Sequence, residues 1–251
     1  LPISAEFCEK SIKPLSDSGS EINGRIVHVK HIRNFAYQTE QDYTPQYYDA
    51  DFSLDKLNAV DLITSYWASE NIAHVFLTFG FKTGQHLAIS IETRRQKSFP
   101  YSVIAGFFHH YELFYVTADE RDLIGVRTDI RRERVYLYSL RLTPAIREKL
   151  FLSYLNEIHS LNTYPQWYNT LTDNCTTGIL ARAGARLRYR WDWRVLLSGH
   201  TASLAYDVGL LDDSMSFAEL KSHSRIWRPK GAVPGLNYSE EIRQGSEGTT
   251  E

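Results

Sequence analysis

The sequence predicts an α+β domain, an antiparallel sheet with helices packed on it, from three observations. Short segments with apolar–polar alternation recur along the chain, and two of them flank a tight turn. A Thr143-Pro144 pair opens a long segment with an apolar stripe at helical spacing. The predicted helices cluster apart from most of the strands.

In chain order, residues 25–30 alternate as a short strand. Residues 54–69 read as a helix, with Leu57, Val60, Ile63 or Thr64, and Trp67 along one side. Residues 73–79 and 86–92 are strands, as are 112–117 and 135–140, which are rich in Tyr, Val and Leu. The helix after Thr143 carries Ile146, Leu150, Leu152, Leu155 and Ile158 and runs to about His159. A second helix is expected to begin beside Cys175 and to stop at Gly184. Residues 1–22 and 236–251 are rich in Ser, Glu and Gly and read as tails. With no linker and no internal repeat between them, residues 23–235 read as one domain.

At 251 residues and 43% hydrophobic content the chain can bury one substantial core. Its 28 basic and 30 acidic side chains leave a net charge of -2. That balance argues against nucleic acid as a partner. The basic clusters at residues 131–134 and 186–194 read as solvated faces, or as contacts for anionic lipid headgroups. No apolar run approaches the ~18 residues that span a bilayer, and no signal sequence opens the chain. The start at Leu1 suggests a processed or trimmed product, so the absence of an anchor from this sequence carries no weight. The two cysteines, Cys8 and Cys175, are not expected to pair, because Cys8 lies in a tail. No CxxC or HxxxH spacing supplies a zinc site, so the expectation is no metal and no cofactor.

One hairpin carries the first chemical signal. Val75, Leu77 and Phe79 share a face of one strand, and Leu87, Ile89 and Ile91 share a face of the next. Matching these sets restricts the register, because a slip of one residue turns a whole set outward. Lys82-Thr83-Gly84 fits a three-residue loop with glycine in the left-handed position. Phe81 then faces Gln85, His86 faces Gly80, and His74 falls opposite Glu92 with Cβ atoms ~5 Å apart. A histidine beside a carboxylate has a fixed tautomer and a stabilised imidazolium, as a general base requires. An ordinary cross-strand charge pair is the competing reading. His28, His31, His109, His110 and His159 show no comparable geometry in the sequence.

Cys175 carries the second signal. Asp173 or Asn174 can cap the helix that follows, leaving Cys175 in its first turn. There the helix dipole and unpaired N–H groups favour the thiolate and can stabilise an oxyanion. The competing reading is a small buried cysteine filling space.

These residues lie in blocks that resemble a known family. The blocks are Ile32-Arg33-Asn34-Phe35, residues 61–67, residues 72–81, residues 87–94, Tyr111-Glu112-Leu113, Ala118-Asp119-Glu120-Arg121-Asp122 and residues 168–177. In this order they resemble the Lnb N-terminal periplasmic domain family, named after the bacterial lipoprotein N-acyltransferase Lnb. The resemblance spans roughly residues 25 to 225. It implies a papain-like, NlpC-like cysteine fold in permuted order, with histidine before cysteine. By position it implies Cys175 as nucleophile and His74 as base, while Glu92 as orienting residue rests on the register.

The function expected is a cysteine-dependent acyltransferase or hydrolase acting on lipid or lipoprotein acyl groups, periplasmic and in contact with a membrane surface; the resemblance implies anchoring to the inner membrane by an N-terminal segment outside this sequence. Asn174 and Thr176, together with Tyr111, Arg94, Arg95 and Arg121, are candidates for holding the substrate. Two other readings stand beside it: an NlpC-type cell-wall peptidase or amidase, and a catalytically silent module that binds lipoprotein or peptidoglycan. No oligomeric state follows from the sequence.

Overall fold

The computed structural model describes residues 20–95, 111–163 and 197–244. Strands β1 (Ser20–Asn23) and β2 (Ile26–Arg33) pair first, and β3 (Ala36–Tyr37) and β4 (Tyr43–Thr44) make a small separate ladder. Then β5 (Tyr47–Ser53) returns along β2. The long strands β6 (Leu57–Ser69), β7 (Ile72–Phe81) and β8 (His86–Arg95) follow, then β9 (Tyr111–Ala118) and β10 (Arg134–Ser139). Together they form an eight-stranded sheet of order β1-β2-β9-β8-β7-β6-β10, with β5 also on β2. Its ladders are antiparallel apart from one parallel contact between Arg33 and Ala118. The α+β class with a mostly antiparallel sheet is therefore the architecture of the chain.

The β7–β8 hairpin has the register its apolar sets demand. Leu77 pairs with Ile89, Phe79 with Leu87 and Gly80 with His86. Phe81 N–H donates to the Gln85 carbonyl at 3.0 Å, and Gly84 closes the loop at φ +83°. A side chain at Gly84 would meet open space, so any penalty there comes from the left-handed backbone alone. Gly84→Ala is accordingly expected to cost about 1 kcal/mol of stability, measured by urea denaturation.

Helices cover both sheet faces. On one side lie α1 (Glu120–Leu123) and a π-helical turn at Val126–Ile130. On the other lies the long α2 (Pro144–Thr163), starting at the Pro the sequence marks. The short α3 (Thr201–Asp207) and α4 (Phe217–His223) follow on that side, and α5 (Tyr238–Gln244) returns to the face of α1. Leu150, Phe151, Tyr154, Leu155 and Ile158 of α2 pack on Val75, Leu77, Phe79, Leu87 and Ile89 in the larger core. Ile63, Phe76, Ala88, Phe114 and Val116 on the opposite face meet Leu123, Ile124, Tyr238 and Ile242 in a second, smaller core.

Residues 54–69 correct the helical reading. After a single 3-10 turn at Leu54–Lys56 they form β6, thirteen residues long. Both faces of this strand are buried, so apolar residues occur on each and produce an accidental helical spacing. Val60, Leu62 and Tyr66 enter the larger core while Ile63 enters the smaller one. Trp67, assigned to the apolar stripe of a helix, is 53% exposed.

Both tail boundaries move as well. Residues 20–22 belong to β1, and α5 lies beyond residue 235 with Tyr238 and Ile242 buried. Polar composition hid these two anchors among Ser, Glu and Gln. The helix expected at residues 175–184 lies outside the described residues.

Candidate functional site

Strand alternation puts His74, Phe76 and Thr78 on the sheet face opposite Val75, Leu77 and Phe79. Ser90 and Glu92 of β8 stand on that same face. Regular pairing of the two strands stops at Leu77 and Ile89, yet the side chains beyond it converge. His74 Nε2 lies 3.1 Å from Glu92 Oε1 and 2.7 Å from Ser90 Oγ. Ser90 donates its one hydroxyl proton to Glu92 Oε1 at 2.9 Å, so toward His74 it accepts. The proton of a neutral His74 therefore sits on Nε2, and the basic lone pair on Nδ1. Among the described residues Nδ1 has no hydrogen-bond partner. The ring tilts against Phe76 at 5.4 Å between centroids.

Ser90 is fully buried, whereas His74 and Glu92 keep 21% and 26% of their side chains exposed. The pair thus sits at the rim of the packed sheet, partly open to solvent. Burial pushes the Glu92 carboxyl up. The attraction and hydrogen bond of His74, the charge of Arg127 and the Ser90 hydroxyl outweigh that and hold it well below the usual carboxylate range.

The sequence reading missed two members of this group. Ser90 shares the face of Glu92 two residues away, so the period of two was the available signal. Arg127 arrives from the π-helical turn, and no local pattern links it to the hairpin. It is buried, places Nη2 3.5 Å from Glu92 Oε1, donates from Nη1 to the Leu123 carbonyl at 2.6 Å and lies over the Phe76 ring at 5.2 Å.

A second charge cluster holds neighbouring segments together. Asp122 is fully buried and receives both Arg33 Nε and Nη2 at 2.9 Å. It also accepts the Phe35 N–H at 2.8 Å and the Tyr37 hydroxyl at 3.3 Å. The blocks at residues 32–35 and 118–122 therefore meet in space, and Asp119 N–H donates to the Arg33 carbonyl at 2.8 Å.

The other site candidates are distributed as follows. Cys175, Asn174 and Thr176 lie outside the described residues. Arg94 and Arg95 on β8 pair through the backbone with Glu112 and Tyr111 on β9. Arg121 lies at the far end of the hairpin from His74. It donates from Nε to Asn34 Oδ1 at 2.6 Å and lines a cleft with His86, Gln85 and Tyr48. His86 itself turns to the Gly84 carbonyl at 3.1 Å.

His28 differs from expectation. Its Nδ1 contacts Asp51 Oδ1 at 2.7 Å across the β2–β5 ladder, so it too has an acidic partner. Both side chains are exposed, and water weakens such a pair. The reading missed it because β5 was not recognised as a strand.

The chain returns beside the His74 end of the sheet at residues 198–200. Ser198 Oγ accepts the Ala73 N–H at 3.1 Å, and the Gly199 carbonyl accepts the Tyr66 hydroxyl at 2.6 Å. A Cβ on Gly199 would overlap the Glu70 carbonyl, so this close approach requires glycine. Among the described residues no helix is long and apolar enough to cross a membrane.

No curated protein and no solved structure matches the chain. The family profile described as "Lnb N-terminal periplasmic domain" matches residues 43–199, a span that includes the His74–Glu92 hairpin and Cys175. The chain belongs to the Lnb N-terminal periplasmic domain family.

Proposed function

We propose that this chain is a thiol-dependent acyltransferase or hydrolase acting on lipid or lipoprotein acyl groups at the periplasmic face of a membrane. The observation that carries the reading is the His74 geometry. Nε2 is held by Ser90 and Glu92, and Nδ1 is left to accept a proton. Membership of a periplasmic domain family named for a lipoprotein N-acyltransferase supports the compartment and the substrate class. The proposal includes a permuted papain-like arrangement. The order of His74 before Cys175, on an antiparallel sheet flanked by helices, supports it.

In the proposed cycle His74 Nδ1 takes the proton of the Cys175 thiol, and the thiolate adds to an acyl carbonyl. The tetrahedral intermediate expels its leaving group, which takes the proton back from His74, and a thioester remains on Cys175. An amine or a water then attacks the thioester and gives its proton to His74. Collapse returns that proton to the sulfur and releases an amide or an acid. Glu92 holds the imidazole and balances its charge while it is protonated.

The test is mass spectrometry of the protein after incubation with a bacterial lipid extract. An acyl mass on the peptide containing Cys175, released by hydroxylamine, is the expected result. Turnover that persists in Cys175→Ala would overturn the proposal.

A further inference from the structure

The His74–Glu92 pair has a weakness that its two members cannot correct. Glu92 is partly buried, and that loss of water favours its protonated form. The charge of His74 opposes this only in the imidazolium, and a base must wait in the neutral state, when Glu92 keeps just the Nε2–H and Ser90 hydroxyl bonds from these neighbours. If Glu92 took up a proton, it would become a donor toward Nε2. The imidazole would then carry its proton on Nδ1, the nitrogen meant to accept one.

A permanent cation removes this weakness, and one is in place. Arg127 Nη2 and His74 Nε2 approach the same oxygen, Glu92 Oε1, at 3.5 and 3.1 Å. We propose that Arg127 is a positioning residue that keeps Glu92 a hydrogen-bond acceptor whatever the charge of His74, and so locks the His74 proton on Nε2. This rests on the reading of His74 as a base acting through Nδ1.

The surrounding charges leave this task to Arg127. Arg33, on β2, is engaged by both oxygens of Asp122 and acts on Glu92 only through its charge, whereas Arg127 makes the close contact. Arg131 faces Glu40 at 2.9 Å and Glu133 at 3.7 Å. Glu133 in turn receives the Ser65 hydroxyl.

The fold also holds Arg127 still. Its π-helical turn is gripped by the C-terminal segment: the Pro234 ring fills the space where a side chain on Gly125 would go. Thr128 and Tyr238 hydroxyls meet at 2.8 Å, and Arg228 Nη2 binds Asp129 Oδ2 at 3.1 Å. A π-turn inside a helical segment is rare and is found mostly at functional sites.

The test uses nuclear magnetic resonance on the full chain carrying Cys175→Ala, so the readouts do not depend on turnover. The Glu92 carboxyl carbon reports its ionisation, and the His74 ring nitrogens report the tautomer. Arg127→Gln keeps a donor for the Leu123 carbonyl but removes the charge. It is expected to raise the Glu92 midpoint by about one pH unit or more and, where the ring is neutral, to increase the share of the Nδ1–H tautomer over Nε2–H. Arg127→Lys should restore both signals to within a few tenths of a unit. Arg127→Met, which keeps the packing on Phe76, replaces the Gln variant if that does not fold.

An unchanged Glu92 midpoint and tautomer in a folded neutral variant would overturn the assignment. So would a Lys variant that behaves like the neutral ones. Neither outcome bears on whether Cys175 carries an acyl group, which the adduct experiment decides separately.

Discussion

Replacing His74 by alanine is expected to slow acylation of Cys175 by about 10²–10⁴-fold, the range a positioned general base contributes. Single-turnover measurement of the thioester isolates this step from product release. The loss should appear without unfolding, because His74 sits at the rim of the sheet and is one-fifth exposed. Thermal midpoints of the variant and the parent should therefore agree within a few degrees. Glu92→Gln is expected to lose less, about tenfold, since an amide oxygen still accepts from Nε2–H but no longer balances the imidazolium. If His74→Ala acylated within threefold of the parent, the hairpin pair would be a structural contact and the base would lie elsewhere.

The largest expected stability effect belongs to Arg243 on α5. Its Nη2 contacts Asp61 Oδ2 and Glu120 Oε1 at 2.8 Å, and its Nη1 contacts Glu120 Oε2 at 2.8 Å. Asp61 and Glu120 are almost completely buried, and Thr78 and Ser139 complete their hydrogen bonds at 2.5 and 2.6 Å. Arg243→Ala would leave two buried carboxylates facing each other's neighbourhood without this cation. That is expected to cost about 3–5 kcal/mol at pH 7, measured by chemical denaturation.

The pH dependence gives the prediction its sign. In the parent, burial raises the Glu120 carboxyl, but Arg243 foremost, with His86 and Ser239, more than offsets it, so the group ionises below the usual carboxylate range. Its stabilisation is present above that range and fades as pH falls through the depressed value. Without Arg243 burial is opposed only by His86 and by neighbouring hydroxyls, and the folded value is expected to rise above the unfolded one. The variant then loses stability as pH rises from the acid side. The gap between the two proteins should be largest at neutrality and should close only as pH falls below the usual carboxylate range, through the depressed Glu120 value. Adding Asp61→Asn and Glu120→Gln to Arg243→Ala should recover part of the loss. A cost under about 1 kcal/mol with no pH dependence would mean that water reaches these carboxylates.

The hairpin was legible because its information is local. Two alternating runs and a loop ending in Gly84 admit one register that matches the two apolar sets; the ladder keeps it as far as Leu77 and Ile89, and beyond that the His74 and Glu92 side chains still meet. The start of α2 was legible for the same reason, since a Pro at the first helical position needs no tertiary partner. The strand β6 was misread because burial on both faces erases the alternation that marks a strand. Its buried polar residues explain the rest. Asp61 and Ser65 look like the polar side of a helix until Arg243, Ser139 and Glu133 arrive as partners from distant segments.

The sequence by itself determined the α+β class, the strand and loop around His74, the carboxylate beside it and the family to which the chain belongs. Only the tertiary structure decided which cation meets that carboxylate and what lies beyond residue 235. Arg127 comes from an irregular turn and Arg243 from a helix far along the chain, and neither has a periodic relation to its partners. Local spacing specifies contacts across one hairpin. Contacts between buried charges depend on where whole elements dock, and that is set by the packing of two cores on opposite faces of one sheet.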